Sequence, residues 1–489
     1  MPVRTGGQYV AGLRARPREV WIGGERVDDV AAHPAFRRPV ARLAGLFDLQ
    51  HDPALRDRMT WASPSTGDDV ATAFMPASDR ADLEKKHAAY RGIAEATLGL
   101  MGRSPDFMNC TLLAFAEGAE VFARGGARFG ENMVRYYEFV RENDLFLTHA
   151  LMSPQNDRSK ASSAQAERDL HLGLVSESDI GIVVSGARMI ATLGPVADEV
   201  LIYNVPGLPP EDARHALVFA VPIDAPGLSQ ICREPYDRGD TEPADHPLAA
   251  NFEEPDSLMI FDDVLVPWDR VFVYNDAAIA NAIFPDTSLR SYTAHQTSVR
   301  GLVKLEFAVG VAMAIARAVR TDRFLHVQQM LGECVEAIEI VRACITRSEV
   351  HHEPTLAGSV RPEIAPLFMA RTYLARTYPR VIEIMQTVGA GGLLAMPSTA
   401  DLESAIGPEI ERYYQGAEGM PGAERVALYK LAWDLCGEAF GMRQLQYERY
   451  YAADPVRNMA ANYLNYDRST CDALVAKALA LGGRAGVSD

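Results

Sequence analysis

The sequence predicts an α+β protein that is mostly helical, with a β domain between two helical ones. Apolar residues recur at helical spacing from about residue 5 to residue 142, and again from about residue 276 onward. Between these segments the period changes, and Ile180, Ile182 and Val184 alternate with other residues as in a half-buried strand. At 489 residues the chain also exceeds what one hydrophobic core usually serves. We therefore expect three domains, at residues 1–145, 146–275 and 276–489.

The N-terminal segment is interrupted by polar breaks at residues 63–68 and 125–126. A third interruption, the Gly-Arg-Ser-Pro turn at residues 102–105, separates two apolar helical runs. Because a charge in such surroundings must find a partner or a ligand, Arg103 is a candidate site residue. An interhelix salt bridge or a helix cap would explain this arginine equally well.

Short β-like runs with Pro and Gly turns between them make up the central segment, and they suggest a compact barrel or sandwich. Asp262 and Asp263 lie between two such runs, where we expect a turn and not a metal-binding carboxylate pair. In the run from Gly186 to Thr192, the small residues at its start would let another chain segment or a ligand approach closely. Thr192 offers a hydroxyl near the end of a strand.

Two long amphipathic helices are predicted in the C-terminal segment, one over residues 324–345 and one over residues 426–440. Both have apolar faces wide enough to pack into a bundle. The glycine-rich stretch at residues 389–392 follows a helical run, so we expect it to cap that helix and not to bind phosphate. The sequence contains no P-loop and no G-x-G-x-x-G after a strand, so neither a nucleoside triphosphate site nor a Rossmann-type dinucleotide site for NAD(P)H is indicated.

Composition excludes several classes of function. The chain has 65 acidic and 48 basic residues, a formal charge of -17, and no basic stripe that could follow a phosphate backbone, so nucleic acid is not an expected partner. The start lacks an apolar signal core, and the most apolar helical run, residues 305–319, is short and carries Glu306 and Arg317. We expect a soluble cytoplasmic protein.

The cysteines and histidines give no metal motif. The six cysteines are scattered without a C-x-x-C pair, and most lie in apolar helical patterns, which favours buried reduced thiols over disulfides or zinc. The only adjacent histidines, His351 and His352, would point about 100° apart on a helix and would not readily share an ion. We expect no metal.

Eight motifs are distributed over nearly the whole chain: Arg4–Tyr9, Val20–Arg26, His33–Phe36, Arg103–Asn109, Thr148–Arg158, Gly186–Thr192, Phe261–Trp268 and Asp454–Arg457. By their order and spacing, the chain resembles the oxygenase component of the 4-hydroxyphenylacetate 3-hydroxylase family over nearly its whole length. This resemblance implies the acyl-CoA dehydrogenase-like fold, which has the helical, β, helical order predicted above.

The resemblance also implies which residues form the site. Arg103 and His149 match the family pair that holds the phenolic oxygen of the substrate, and two donors on one oxygen favour its phenolate form. Thr192 matches the threonine at the flavin N5 edge. The remaining matches to flavin contacts, besides His149 itself, are Ala150, Leu151, Gln155, Asn156, Asp157, Arg158, Asp454, Pro455, Val456 and Arg457.

The sequence departs from the family pattern at two places that would contact the substrate. Phe107 stands where the phenylacetate hydroxylases carry a tyrosine, which removes one hydroxyl from the substrate oxygen. Asn204 and Val205 replace the pair of hydroxyl residues that binds the substrate carboxylate. A phenol, a hydroxypyridine or a carrier-tethered aromatic is therefore expected as substrate in place of a free arylacetate.

By this resemblance the chain is a flavin-dependent monooxygenase, the oxygenase component of a two-component system. It would take FADH2 from a separate NAD(P)H:flavin reductase, react it with O2 to a C4a-hydroperoxyflavin, and hydroxylate an aromatic ring, ortho to its hydroxyl. A homotetramer is implied by the same analogy. Alternatives are a flavin-dependent dehydratase, a dehydrogenase of the acyl-CoA type and a non-catalytic flavin-binding protein. The dehydratase needs an iron–sulfur cluster, for which only Cys110 is present near Arg103, and Leu302 takes the place of a second cysteine.

Overall fold

The computed structural model describes residues 3–237 and 239–481. In the N-terminal segment, helices surround four short strands. The helices are α1 (Gly6–Ala15), α2 (Arg37–Asp48), α3 (Arg56–Met59), α4 (Arg80–Ala96), α5 (Pro105–Glu117), α6 (Ala119–Ala123) and α7 (Ala127–Asn143). The strands are β1 (Glu19–Ile22), β2 (Glu25–Arg26), β3 (Thr60–Ala62) and β4 (Asp69–Ala71). Pro105 begins α5 because its fixed φ suits the first helical turn, where no N–H donor is needed.

The central segment folds into two sheets. Its elements are β5 (Leu147–Ala150), β6 (Gly173–Glu177), β7 (Gly181–Thr192), β8 (Glu199–Ile202), β9 (Val218–Pro222), β10 (Leu228–Cys232), α8 (Ala249–Phe252), β11 (Asp256–Pro267) and β12 (Val271–Val273). The larger sheet has the order β2-β1-β10-β11-β7-β6, and the smaller one β12-β9-β8-β5. Strands β5 and β8 pair in parallel and are buried along their whole length, so the smaller sheet lies in the interior of the protein.

The C-terminal segment is a helical bundle. Its elements are α9 (Ala277–Asp286), α10 (Leu289–Ala318), α11 (Leu325–Val350), β13 (Glu353–Pro354), β14 (Val360–Arg361), α12 (Ile364–Gly389), α13 (Thr399–Leu402), α14 (Gly407–Tyr413), α15 (Gly422–Cys436), α16 (Ala439–Tyr450), α17 (Pro455–Leu464) and α18 (Ser469–Leu481). Helix α10 contacts α11, α12 and α15 on one side and α4 and α5 on the other. It is therefore buried all round, and it joins the two helical segments.

The predicted fold class and the order of the segments are confirmed. Helix α12 ends at Gly389, as the glycine-rich stretch indicated. The cysteines are free, and those at positions 110, 232, 334 and 436 are buried, as expected for reduced thiols. Within the described residues, no helix is both long enough and apolar enough to cross a membrane.

Three local features differ from the sequence predictions. Strand β1 pairs in parallel with β10, so part of the N-terminal segment extends the central sheet; the three domain limits stay a prediction. Asp262 and Asp263 do not form a turn between strands: they lie in a β-bulge within β11, where Asp263 has a φ of 50° and binds the Ser185 hydroxyl. The helix predicted over residues 426–440 is two helices, because the chain breaks at Gly437.

Gly437 is required at that break because the aromatic ring of Trp433 fills the space of a side chain. A Cβ atom there would lie 2.3 Å from the Trp433 ring. The amide groups of Gly437 and of the following residue both donate to the Trp433 carbonyl, which ends α15. The break changes the direction of the chain, and α16 brings Arg443 and Tyr447 to the site described next.

Candidate active site

Arg103 lies in the turn between α4 and α5, and its side chain is half-buried. The backbone N–H donates to Glu254 Oε1 at 3.0 Å, and Nε donates to His149 Nε2 at 3.1 Å. Nη1 donates to the Gly102 carbonyl at 3.0 Å and to the Tyr447 hydroxyl. No carboxylate of the described residues pairs with this guanidinium, so the salt-bridge alternative does not hold, and the positive charge is held by neutral groups.

His149 is on β5 and is 7% exposed. Burial, and next the positive charge of Arg103, hold the pKa of His149 well below its ordinary value, so the ring is neutral. Its second nitrogen, Nδ1, lies 2.8 Å from the Tyr203 hydroxyl. Arg103, His149 and Tyr203 thus form a line of hydrogen bonds with the imidazole in the middle.

Aromatic rings form the walls around this line. Phe107, one turn into α5, meets the His149 ring edge to face at 5.3 Å, and the Arg103 guanidinium lies 4.3 Å from the Phe107 ring centroid. The Tyr447 ring also packs on Arg103, with its centroid 5.4 Å from the guanidinium carbon. It approaches so closely that a Cβ on Gly102 would lie 2.2 Å from the Tyr447 hydroxyl, which explains the glycine before Arg103. Burial raises the pKa of Tyr447 to about 12, so it remains a neutral hydroxyl.

Thr192 is the last residue of β7, and its hydroxyl donates to Asp256 Oδ1 at 2.8 Å. Both Asp256 oxygens accept from Arg443, and one also accepts from Arg233. Burial favours the neutral acid, but the two guanidinium groups outweigh it and lower the pKa of Asp256 well below its ordinary value. Because the Asp256 carboxylate accepts the hydrogen bond from the Thr192 hydroxyl, Thr192 Oγ1 can offer a ligand only its lone pairs.

A continuous chain of hydrogen bonds connects Arg103 to Thr192. Glu254, which is fully buried, accepts from the Arg103 backbone with one oxygen and from Arg443 with the other. Arg443 also holds Asp256, and Asp256 holds Thr192. Truncation of any of these charged groups would leave another buried charge without its partner, which is costly, so the two halves of the site are fixed relative to each other.

The segment after His149 runs beside β7. Met189 donates to the Met152 carbonyl at 2.8 Å, and His171 bonds the Pro154 carbonyl at 3.0 Å. A Cβ on Gly186 would lie 2.6 Å from the His171 carbonyl, so the close approach expected at Gly186 is made by the chain itself. Ala150 is buried and Leu151 half-buried.

The four polar residues expected to contact the flavin, Gln155, Asn156, Asp157 and Arg158, are exposed in the loop that follows. Asp157 accepts from the amide and hydroxyl of Ser159 and pairs with Lys160 at 3.1 Å. This carboxylate therefore fixes the loop. The predicted roles of these four residues toward a flavin stay a prediction.

Arg188, on β7, is a buried cation without a carboxylate partner among the described residues. It is 3% exposed, Nη1 donates to the Leu151 carbonyl at 2.7 Å, and Nε has no hydrogen-bond partner. Burial lowers the pKa of Arg188 to about 10. An unpaired buried guanidinium N–H beside Leu151 fits a ligand that offers an acceptor or a negative charge along this segment.

The two residues expected to replace the carboxylate-binding pair follow Tyr203 directly. Asn204 is buried, and its amide N–H donates to the His215 carbonyl at 3.0 Å, while Oδ1 has no partner in the described residues. Val205 is 39% exposed. The substrate-contacting roles of this pair stay a prediction.

The residues Asp454, Pro455, Val456 and Arg457 lie at the start of α17. Asp454 Oδ1 accepts from the Arg457 amide and so caps this helix, and most of the segment is exposed. Within the described residues, no hydrogen bond or ion pair connects it to Arg103, His149 or Thr192. In a single chain the structure therefore brings together Arg103, Phe107 and His149 and connects Thr192 to them, while the predicted flavin contacts of residues 454–457 stay a prediction.

The sequence reasoning missed Tyr203, Glu254, Asp256, Arg443 and Tyr447. Tyr203 ends an apolar strand run and reads as a core residue, and the two carboxylates follow an ordinary polar loop. Glu254 and Asp256 flank a proline directly before a strand, and this is the one local sign that they are held in place.

The fold and the site define a protein of the acyl-CoA dehydrogenase-like architecture, with a half-buried arginine and a buried histidine facing an aromatic wall. The family descriptions "4-hydroxyphenylacetate 3-hydroxylase N terminal" and "4-hydroxyphenylacetate 3-hydroxylase C terminal" match residues 5–273 and 280–480. The chain belongs to this family, as its motifs indicated.

Relatives cover the chain from end to end. The 4-hydroxyphenylacetate 3-monooxygenase oxygenase component of Thermus thermophilus is 40% identical over 465 residues, 95% of each chain. The 4-nitrophenol 2-monooxygenase oxygenase component of a Rhodococcus species is 33% identical and covers 92% of this chain and 86% of its own. A crystal structure of an oxygenase component complexed with FAD and 4-hydroxyphenylacetate matches with a TM-score of 0.93 at 39% identity, covering 98% of this chain and 99% of the other.

Proposed function

We propose that this protein is the oxygenase component of a two-component monooxygenase that hydroxylates a phenolic ring ortho to its hydroxyl. The observation that carries the proposal is the pair formed by Arg103 and His149, a cation and a neutral base 3.1 Å apart against an aromatic wall. An electron-rich ring with one hydroxyl fits this pair, because the hydroxyl can lose a proton to the base while the cation stabilises the resulting oxyanion.

FAD is the proposed cofactor, and related oxygenase components have been crystallised with it. Bound in reduced form, it supplies the activation of O2 for transfer of one oxygen atom. Arg188, with its unpaired buried Nε, and the lone pairs of Thr192 Oγ1 fit a cofactor that offers both acceptors and N–H donors. Ala150, Leu151 and residues 155–158 would line the same segment, and residues 454–457 are proposed as further contacts.

The residues of this chain have three tasks in that reaction. Arg103 and His149 hold the phenolic oxygen and shift its proton to the base. Phe107 and its neighbours exclude water from the ring, since a buried aromatic wall leaves little room for solvent. The network through Glu254, Arg443 and Asp256 keeps the two halves of the site at a fixed distance.

The proposed substrate is a phenol, a hydroxypyridine or a carrier-tethered aromatic and not a free arylacetate. Asn204 Oδ1 is buried without a hydrogen-bond partner among the described residues, and its partial negative charge would repel a carboxylate placed beside it. Phe107 offers no hydroxyl to the substrate oxygen, so the oxygen depends on Arg103 and His149. Relatives of comparable length are named for nitrophenol and for a carrier-bound chlorohydroxyphenyl substrate, so the family accommodates such rings.

The partners follow from the same assignment. Relatives are named as oxygenase components, which implies a separate reductase, and we propose an NAD(P)H:flavin reductase as the source of FADH2. A homotetramer and a cytoplasmic location are also proposed.

The test is a panel of phenols, hydroxypyridines and 4-hydroxyphenylacetate, each incubated with the protein, chemically reduced FAD and O2. Products are examined by mass for the gain of one oxygen, with catalase present to remove free peroxide. We expect a gain of one oxygen with at least one phenol, and less with 4-hydroxyphenylacetate. Binding of reduced FAD without oxygen gain on any ring would support a non-catalytic flavin protein and contradict the proposal.

A further inference from the structure

We infer that Tyr203 is a positioning residue for His149, because its hydroxyl holds the imidazole in the tautomer whose Nε2 atom presents a lone pair, which accepts from Arg103 in the structure and from the substrate hydroxyl once the substrate is bound. This inference rests on the proposed function, since it concerns the step in which the phenol loses its proton. It adds a residue that none of the family motifs in the sequence contains.

The tautomer follows from the donors around the ring. Arg103 Nε always carries a hydrogen, and it donates to His149 Nε2, so Nε2 presents its lone pair. A neutral imidazole with a lone pair on Nε2 carries its hydrogen on Nδ1. The group facing Nδ1 at 2.8 Å is the Tyr203 hydroxyl, which therefore accepts this hydrogen bond.

The position of the Tyr203 hydroxyl is fixed by the fold. Tyr203 directly follows β8, which pairs in parallel with β5 and places Leu201 opposite His149. The Tyr203 ring is 2% exposed and packs against Phe115 at 5.5 Å and Phe284 at 6.1 Å. In the described residues His149 is its one hydrogen-bond partner, so the hydroxyl is held for this contact.

No anion faces His149 or Tyr203 among the groups that surround this pair in the described residues. Arg103 faces His149 from the turn before α5, and the Cys110 side chain faces Tyr203 from α5. Burial raises the pKa of Cys110 to about 12 and raises that of Tyr203 as well, so both stay neutral. The imidazole is consequently not charged beforehand by a neighbouring anion and is free to accept a proton.

The proton transfer balances without a further reactant. When the substrate binds, its phenolic O–H replaces the Arg103 Nε–H as the donor to His149 Nε2, and Arg103 donates to the phenolic oxygen instead. The O–H bond then breaks and an N–H bond forms at Nε2, which leaves a phenolate held by Arg103 and an imidazolium. The Nδ1–H bond remains directed at the Tyr203 oxygen, and it becomes a charge-assisted hydrogen bond. Without the hydroxyl, Nδ1–H would be buried without an acceptor in both states, at a greater cost in the charged one.

The experiment uses 4-nitrophenol, whose phenolate absorbs visible light, as the probe. It is titrated with pH on the protein loaded with reduced FAD under anaerobic conditions, so that ionisation is measured and no oxygen is transferred. In the wild-type protein the bound probe should ionise below the pKa it has in solution. In Tyr203→Phe the midpoint should rise by about one pH unit, as expected for the loss of one hydrogen bond to a charged group.

Two comparisons separate positioning from packing. Tyr9→Phe removes a buried hydroxyl that donates to the Val196 carbonyl and makes no hydrogen bond to Arg103, His149 or Tyr203, so it should lower the melting temperature and leave the titration unchanged. In a His149→Ala background, Tyr203→Phe should produce no further shift, because it acts through the imidazole. If Tyr203→Phe does not fold, Tyr203→Met removes the same hydroxyl and is titrated instead.

The outcomes for this inference and for the proposed function are distinct. An unshifted midpoint in Tyr203→Phe, or the same shift with and without His149, would overturn the role of Tyr203 and leave the monooxygenase assignment intact. A wild-type protein on which the probe does not ionise below its solution pKa would contradict the proposed function itself.

Discussion

Replacement of Arg103 by lysine tests the assignment on which the substrate chemistry depends. Arg103 uses three side-chain contacts at once, through Nε to His149 and through Nη1 to Gly102 and Tyr447. A lysine ammonium is a point charge and cannot hold His149, Tyr447 and a substrate oxygen in the same geometry. If one charge-assisted hydrogen bond to the phenolate is lost, the cost is about 1.5–3 kcal/mol, or about 10- to 150-fold in kcat/KM.

The assay measures product, hydrogen peroxide and melting temperature on the same preparation. We expect Arg103→Lys to consume reduced FAD and O2 at a normal rate while product falls and peroxide rises to account for the missing oxygen. Arg124→Lys is the matched control, because Arg124 is a half-exposed arginine that pairs with Asp286 and makes no hydrogen bond to Arg103, His149 or Tyr447 among the described residues. A variant that melts earlier but couples oxygen transfer as well as wild type would refute the reasoning and make Arg103 a structural residue.

The remaining predictions concern His149, Thr192 and the reductase. Burial depresses the pKa of His149, so below about pH 6.5 the folded protein binds fewer protons than the unfolded chain. The difference in melting temperature between wild type and His149→Gln should therefore shrink from pH 7 to pH 5. A constant difference would contradict a neutral buried ring. Thr192→Val should bind reduced FAD less tightly and release more peroxide, because an acceptor for an N–H group is lost; unchanged affinity and peroxide would leave Thr192 as a strand residue. The purified chain alone should not oxidise NADH, and rapid oxidation would exclude a separate reductase.

The order of the segments could be predicted from sequence because each has its own hydrophobic period. The alternation at Ile182 and Val184 belongs to β7, and the helical spacing of residues 324–345 belongs to α11. The break at Gly437 was missed because the apolar spacing runs through it, and periodicity does not reveal that Trp433 occupies the space of a side chain there. The bulge at Asp263 was predicted as a turn because the two aspartates lie between strand-like runs and Asp is common in turns. A bulge within one strand also accommodates Asp at a positive φ.

The site was only partly predictable for a different reason. Residue types alone left Arg103 open between a salt bridge and a ligand contact, and the family motifs decided for a site. What positions Arg103 could not be read locally, because Tyr447 is 344 residues away in the chain and Tyr203 is 54 residues from His149. Such partners meet only after the bundle and the inner sheet have packed, and one sequence without its fold contains no sign of their proximity.

Phe107, which stands where the phenylacetate hydroxylases carry a tyrosine, and Tyr447 act on different parts of the site. Phe107 shapes the aromatic wall, and Tyr447 holds the guanidinium. Phe107 provides a ring surface beside His149 but has no hydroxyl, so it can contact the substrate ring without a hydrogen bond to the substrate oxygen. The guanidinium instead donates a hydrogen bond to the Tyr447 hydroxyl of α16. Because the C-terminal bundle helps to fix where the cation lies, we expect substitutions on α5 to alter which ring is accepted while the charge proposed to stabilise the phenolate stays in place.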